Sequence, residues 1–115
     1  MASADTAQRA LCRSLGKEYR IRTIDFERVI YRDFGNGFNV EISNTHTTSK
    51  KKLASLYLWF GDSLIVKRVH NVSRDDIGAV AESFYDYSQQ LVADGYDNRD
   101  ALFYMLHPEL KKERR

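Results

Sequence analysis

Apolar and polar residues alternate between positions 19 and 43 in a way that predicts three β-strands. Residues 19–26 form the first strand of this pattern, and residues 27–43 contain Asn36 and Gly37, a pair that favours a two-residue hairpin turn. Such a turn places Tyr31 opposite Ile42. One face of the hairpin then carries Val29, Tyr31, Phe38, Val40 and Ile42. The other face carries Ile30, Arg32, Phe34, Asn39, Glu41 and Ser43.

Residues 53–72 have the pattern of a second hairpin, which turns near Gly61 and Asp62. The more aliphatic face, which we expect to meet the core, carries Ala54, Leu56, Leu58, Phe60, Ile65 and Val69. The opposite face mixes aromatic, aliphatic and basic residues, namely Tyr57, Trp59, Leu64, Val66, Arg68 and His70. The polar stretch between the hairpins is predicted to be a solvated connection.

Helical periodicity occurs at both ends of the chain. A short apolar stripe over residues 5–15 predicts an N-terminal helix, and Gly16 is placed to end it. A long helix is predicted to begin after Ser73 and to end at Gly95, and a short final helix should stop at Pro108. The buried stripe of the long helix is expected to consist of Ile77, Val80, Ala81, Phe84, Ser88 and Leu91.

The order α-β-β-β-β-β-α-α predicts an α+β domain over residues 1–110, followed by a basic tail over residues 111–115. Consecutive hairpins favour a mainly antiparallel sheet of about five strands. The long helix should pack on the aliphatic face of this sheet, with Phe84 against Leu56, Leu58 and Val69.

Composition is that of a globular domain, with 43% hydrophobic and 30% charged residues. No apolar run approaches the roughly 20 residues of a transmembrane helix, so we expect no membrane association. The N-terminus has no apolar segment typical of a signal peptide. The single cysteine, Cys12, has no partner for an internal disulfide, which favours a cytoplasmic location.

No motif in the chain indicates catalysis. His46, His70 and His107 have no zinc-ligand spacing. Ser49 and Lys52 match the Ser-x-x-Lys pattern of serine acyltransferases, but they lie in a predicted loop rather than on one helical turn. We therefore expect a protein without enzymatic activity, metal or cofactor.

Charge is distributed unevenly although the net charge is only +2. Residues 73–110 hold two basic and eight acidic residues, a net charge of −6, whereas residues 1–72 hold twelve basic and seven acidic residues. The acids of the long helix predict a surface that binds a basic partner protein. A role as an inhibitor or accessory protein of phage or mobile-element type, directed at a nucleic-acid-handling partner, would fit. The predicted partner-binding residues are Asp75, Glu82, Asp86 and Asp94.

The mixed face of the second hairpin supports an alternative, the binding of single-stranded nucleic acid. Aromatic residues on a sheet can stack on bases while basic residues neutralise phosphates. The residues of this hypothesis are Tyr57, Trp59, Arg68 and His70, extended by Lys50, Lys51 and Lys52 and by arginines of neighbouring strands such as Arg20, Arg22 and Arg32.

Two further interpretations of the mixed face remain open. In one, Tyr57 and Trp59 pack beneath the N-terminal helix and form a second small core. In the other, an exposed sheet edge or the face that carries Trp59 joins two copies of the chain as a homodimer.

Overall fold

Within residues 3–112, which the computed structural model describes, five strands are flanked by helices at both ends. The elements are α1 (Ala4–Leu15), β1 (Arg20–Ile24), β2 (Glu27–Asp33), β3 (Phe38–Ser43), β4 (Ala54–Phe60), β5 (Leu64–Val72), α2 (Ile77–Ala93), α3 (Arg99–Leu106) and α4 (Pro108–Lys112). A single 3₁₀ turn, Arg74–Asp76, leads into α2. The α+β class and the order of elements are as the sequence predicts.

The five strands form one antiparallel sheet in the order β1-β2-β3-β4-β5. Each strand pairs with the next one along the chain, so every connection is a hairpin or a loop between neighbours. The central strand, β3, and its neighbour β4 carry the most buried residues, whereas β1 and β5 form the two edges.

All of the helices that join the core lie on one face of this sheet. The apolar stripe of α2, represented by Ile77, Phe84 and Leu91, is buried against β3 and β4. Leu11 of α1 and Leu102 of α3 belong to the same core. The predicted packing of α2 on the sheet is confirmed, because Phe84 is only 1% exposed and α2 contacts β4 and β3, although Val80 of the predicted stripe is only half-buried.

The interpretation in which Tyr57 and Trp59 pack beneath α1 is wrong. Helix α1 lies on the same side of the sheet as α2, where Leu15 approaches Gly78. Its buried Gln8 donates hydrogen bonds to the carbonyl of Arg28 and to Thr45 Oγ1. Consequently, no helix of the described residues covers the sheet face that carries Tyr57 and Trp59.

The turn between β2 and β3 is one residue longer than the sequence indicates. Residues 35–37 form the turn, because the N–H of Phe34 donates to the carbonyl of Phe38. Gly35 and Gly37 both have positive φ angles, 79° and 93°, which glycine adopts without strain. Asn36 fixes the turn by accepting a hydrogen bond from the N–H of Phe38 and donating one to Ser88 of α2.

This longer turn reverses the predicted faces of β2 relative to β3. Ile30 pairs with Ile42 and Tyr31 pairs with Glu41, so the predicted pairing of Tyr31 with Ile42 is wrong. Because neighbouring residues of a strand point to opposite faces, a slip of one residue exchanges every side chain of β2. Ile30 and Arg32 therefore face the helices, whereas Tyr31 lies on the other side.

The predicted faces of the second hairpin are wrong for part of β5, because this strand contains a β-bulge. The pairing jumps from Leu58 with Lys67 to Trp59 with Ile65, so Val66 is the extra residue. Ile65 thus lies beside Trp59 instead of on the core face, while Val66 is buried. The predicted core face of β4 itself, with Ala54, Leu56 and Leu58, is confirmed.

At the C-terminal end, Asn98 accepts a hydrogen bond from the N–H of Ala101 and begins α3. Pro108 follows the end of α3 as predicted but also begins the short helix α4. Residues 111 and 112 of the predicted basic tail belong to α4, and residues 113–115 lie outside the described residues.

Replacement of Phe84 by alanine tests the packing of α2 on the sheet. We expect a loss of about 3–5 kcal/mol in the free energy of unfolding, because the ring is buried and its removal leaves a cavity. Denaturant unfolding measures this loss. Asp86→Ala on the exposed side of the same helix is the control and should change stability by no more than about 0.5 kcal/mol. Equal effects of the two substitutions would contradict the assigned faces of α2.

Candidate binding surfaces

The predicted acidic surface lies along α2 and the 3₁₀ turn before it. Asp75, Asp86 and Asp94 are exposed, and α2 contains no lysine or arginine over its 17 residues. None of these three carboxylates has an ion-pair partner among the described residues. The amide of Gln90 donates to Asp94. Asp86 on α2 and Asp94 at its C-terminal end therefore form a negative surface, whereas Asp75 shares a groove with Lys50 and Arg74.

Glu82, the fourth predicted residue, differs from the others because it helps to hold the fold. Its carboxylate lies 3.6 Å from the guanidinium of Arg32, whose side chain is only 15% exposed. The guanidinium of Arg32 also lies over three rings, those of Tyr19, Phe34 and Tyr85, with centroids 4.8–5.4 Å away. Arg32 thus joins the sheet to α2 and takes no part in the opposite face, contrary to the hypothesis that grouped it with Trp59.

The sheet face opposite the helices is called the open face here. Its central row crosses all five strands, since Arg20 pairs with Tyr31, Tyr31 with Glu41, Glu41 with Tyr57 and Tyr57 with Arg68. A carboxylate on the central strand is therefore flanked by two tyrosines and then by two arginines at the edges. Tyr31 and Tyr57 are half-buried, and both arginines are exposed.

Glu41 is the buried charge of the open face. The residue is 8% exposed, and its two carboxylate oxygens accept hydrogen bonds from Trp59 Nε1 and Ser43 Oγ, each at 3.0 Å. No basic side chain of the described residues lies within ion-pair distance of it. Successive strands are about 4.8 Å apart, so the backbones of β1 and β5, which carry the arginines of the central row, lie about 10 Å from the backbone of β3.

A pocket of about 290 Å³ opens beside Glu41 and Trp59. The pocket is lined by Asp25, in the turn between β1 and β2, and by Asp62, in the turn between β4 and β5. These two turns lie at opposite ends of the sheet. The twist of the sheet therefore brings these two diagonal corners toward each other over the open face. Tyr31 forms another wall of the pocket.

The residues of the nucleic-acid hypothesis are only partly brought together. The open face does carry all four strand residues of this hypothesis, namely Tyr57, Trp59, Arg68 and His70. The ring of His70 contacts the ring of Tyr57 edge-on, and it forms a hydrogen bond with the hydroxyl of Ser55. Of the four residues, only Arg68 is an arginine or lysine, the side chains that neutralise phosphates most strongly.

The three loop lysines do not extend the open face in the way the hypothesis requires. Lys50 and Lys52 line two grooves that Leu11 of α1 and Arg74 also line, on the helix side of the molecule. The loop is fixed to α1, because Thr45 accepts a hydrogen bond from Gln8. The lysines are exposed, as expected of a solvated connection.

Contact with His46 and with Arg28 holds the pKa of the Asp5 carboxyl below its usual value. The hydrogen bond from His46 is the larger cause, and the charge of Arg28, 3.6 Å away, adds to it. A lowered carboxyl pKa stabilises the folded state at pH values above the unfolded pKa of Asp5, and this contribution is lost as the pH falls through the folded pKa. The hydrogen bond between His46 and Asp5 thus attaches the loop to α1.

Charges on the open face are balanced rather than basic. Three arginines, Arg20, Arg22 and Arg68, are opposed by Glu27, Asp33 and Glu41 on the strands. Asp25 and Asp62 add two further negative charges at the pocket. The guanidinium of Arg22 lies over the ring of Tyr31 at 4.4 Å from its centroid. A phosphate backbone would therefore meet no continuous basic track on this face.

Sequence reasoning missed the two residues at the centre of the open face, because it placed Tyr31 on the same face as Ile42 and gave Glu41 no role. The signal that could have found them is the sequence Phe-Gly-Asn-Gly-Phe, in which two matching aromatic residues, Phe34 and Phe38, enclose three turn residues. An odd-length turn would have placed Tyr31 and Glu41 side by side.

A fully exposed phenylalanine stands next to the pocket. Phe26 and Asp25 form the two-residue turn between β1 and β2, and both have positive φ angles, 68° and 50°. This conformation is typical of a type I′ turn, which normally selects asparagine and glycine. A bulky side chain in this conformation is strained, and here it is not stabilised by burial.

Within residues 3–112, no group of three or more histidine, cysteine, aspartate or glutamate side chains is placed to hold a metal ion. In the same residues, no helix combines the length and the apolar character needed to cross a membrane.

Comparison of the chain with protein-family models, with curated proteins and with solved structures finds no match in any of the three. Any functional assignment must therefore come from these surfaces.

Replacement of Phe26 by glycine tests the strain in the turn beside the pocket. We expect the free energy of unfolding to rise by about 1 kcal/mol, because glycine relieves the positive-φ conformation and no buried contact is lost. Thermal or denaturant unfolding measures the change. Phe26→Ala is the matched control: it removes the ring but keeps the Cβ, so it should give no such gain. A glycine variant that is less stable than the alanine variant would contradict the assigned turn.

Proposed function

We propose that this protein is a non-enzymatic binding module that docks on a basic partner protein through the exposed acids of α2. The observation that supports this proposal is that Asp86 on α2 and Asp75 and Asp94 beside its two ends have no ion-pair partner among the described residues, while α2 itself has no basic residue. The buried stripe of α2 is on its opposite side, so these carboxylates contribute nothing to the core and remain available.

Charge of this kind acts mainly on the rate of encounter with a partner of opposite charge. One target would be a basic surface through which the partner binds nucleic acid. The acidic helix would then compete with nucleic acid for that surface. The proposal includes the inhibitor or accessory role and the cytoplasmic location that are expected from the sequence.

Binding of single-stranded nucleic acid is the second candidate function. The observation in its favour is that Tyr57 and Trp59 are half-buried on a sheet face that no described helix covers. Against it stands the balanced charge of this face, because affinity for nucleic acid comes largely from neutralised phosphates. We therefore rank it below the binding of a basic protein.

Reversal of charge on α2 tests the proposed docking surface. Asp86→Lys combined with Asp94→Lys should slow association with the partner strongly at low salt and less at high salt, because the effect is electrostatic. Glu82 is left unchanged, since lysine at that position would face Arg32. The partner is first captured from the native host by chemical cross-linking and identified by mass spectrometry, and association rates are then measured at two salt concentrations.

The matched control reverses two exposed acids elsewhere, Glu18→Lys and Glu109→Lys, and so changes the net charge equally. These substitutions should slow association much less than those on α2. Equal slowing by the two pairs would mean that only total charge matters. If replacement of Lys50, Lys51 and Lys52 by alanine abolished association while the α2 variant bound normally, the docking surface would be the basic half of the molecule.

A further inference from the structure

We propose that the pocket on the open face is a second binding site, which takes the guanidinium group of an arginine side chain from a basic partner protein. The proposal shares with the proposed function the expectation of a basic partner, but it rests on a different surface. Helix α2 and the pocket lie on opposite faces of the sheet, so each site can be tested without the other.

Glu41 provides the charge that an arginine would pair with. A carboxylate can accept about four hydrogen bonds, and Glu41 accepts two, from Trp59 Nε1 and Ser43 Oγ. These two donors hold both oxygens in place and leave lone pairs free on each. A buried carboxylate without a cationic partner is costly, and a bound guanidinium would reduce that cost.

Charge around the pocket favours a cation over an anion. Asp25, Glu41 and Asp62 line it together with a single basic residue, Arg22, so its net charge is negative. The guanidinium of Arg22 already lies over the ring of Tyr31. A phosphate group entering the pocket would meet three carboxylates, which excludes a nucleic-acid backbone from this position.

Aromatic walls make the pocket suited to a guanidinium in particular. The indole of Trp59 and the ring of Tyr31 line it, and cations bind most strongly over the face of tryptophan. Arginine combines a planar group that stacks on aromatic rings with a fork of donors that matches a carboxylate, whereas lysine offers a compact point charge. The guanidinium of Arg22, 4.4 Å from the centroid of the Tyr31 ring, shows that this wall already holds one cation.

The size of the pocket limits its occupant to about one side chain. Its volume of about 290 Å³ is at the lower end of the roughly 300–1,000 Å³ typical of small-molecule sites. Phe26, fully exposed in the turn that also contains Asp25, offers an apolar contact for the partner backbone outside the pocket. A short loop or tail with a central arginine fits these features.

Titration with a short capped peptide, Ser-Gly-Arg-Gly-Ser, tests the proposal on the full chain. Trp59 is the only tryptophan, so both its fluorescence and the NMR resonance of its indole N–H report on the pocket directly. The matched control peptide carries citrulline, which has the shape of arginine without its charge. We expect the arginine peptide to shift the indole resonance and the amide resonances of Tyr31 and Glu41, and the citrulline peptide to leave them unchanged.

Glu41→Gln keeps the shape of the side chain and an acceptor for Trp59, but it removes the charge. We expect this substitution to weaken binding of the arginine peptide by roughly 30-fold or more, as for a charge pair shielded from water. Asp62→Asn, at the exposed rim, should weaken it less and serves as a second variant if Glu41→Gln fails to fold. Glu109→Gln, at an exposed position of α4 that belongs to neither proposed site, should leave peptide binding unchanged.

Equal binding of the arginine and citrulline peptides would overturn the proposal, and so would unchanged affinity in both the Glu41 and Asp62 variants. If oligothymidylate shifted the indole resonance of Trp59 and the arginine peptide did not, the pocket would be a nucleic-acid site instead. If the arginine peptide fails to bind while the α2 variants still slow association with the partner, only this proposal fails and the proposed function stands.

Discussion

The length of the turn between β2 and β3 decides which side chains of this protein form the core and which remain available to a partner. Residues 35–37 make the turn odd in length, so Ile30 joins Ile42 on the helix side and Tyr31 joins Glu41 on the open face. A turn one residue shorter would exchange these positions and bring Arg32 beside Glu41. Arg32 would then lose its aromatic contacts on the helix side, and the buried carboxylate would gain a cation.

The two faces of the sheet consequently serve different purposes. On the helix side, aliphatic residues provide most of the burial, and Arg32 and Asn36 connect the sheet to α2 through Glu82 and Ser88. On the open face, the central row places charged and aromatic residues where they add little to the core. A face of this kind is costly to maintain for stability alone, because Glu41 is desolvated without an ionic partner. The binding site proposed for this face would give its residues a role that stability alone does not.

The secondary-structure elements could be predicted well from the sequence, because they depend on local pattern. The faces of individual strands could not, because a shift of one residue in register exchanges them. The five strands, the long helix and its buried Phe84 follow from periodicities of two and 3.6 residues, which extend over many positions. The faces of β2 and β5 depended on the length of one turn and on two shifts in the pairing of β4 with β5, one of them the bulge at Val66, and none of these leaves a periodic signal. The acids of α2 could be placed from the helix pattern, whereas the pocket could not.

The pocket escaped prediction because it combines residues from four separated stretches of the chain. Asp25, Tyr31, Glu41 and Trp59 meet only after the sheet has twisted and after the register has placed them on one face. The hydrogen bond from Trp59 to Glu41 joins β4 to β3 across the open face and could not be read from either strand alone.

The most direct test of this account is quenching of Trp59 fluorescence by small ions of opposite charge. Each ion is compared with its own quenching of free N-acetyltryptophanamide, because iodide quenches indole more efficiently than caesium in any environment. If the sheet face that carries Trp59 is open and its pocket is negative, the protein should reduce quenching by iodide more than quenching by caesium, and the difference should shrink in Glu41→Gln and Asp62→Asn variants. A greater reduction for caesium than for iodide would indicate a basic face suited to nucleic acid. Absence of quenching by both ions would show that Trp59 is covered, and either result would contradict the account.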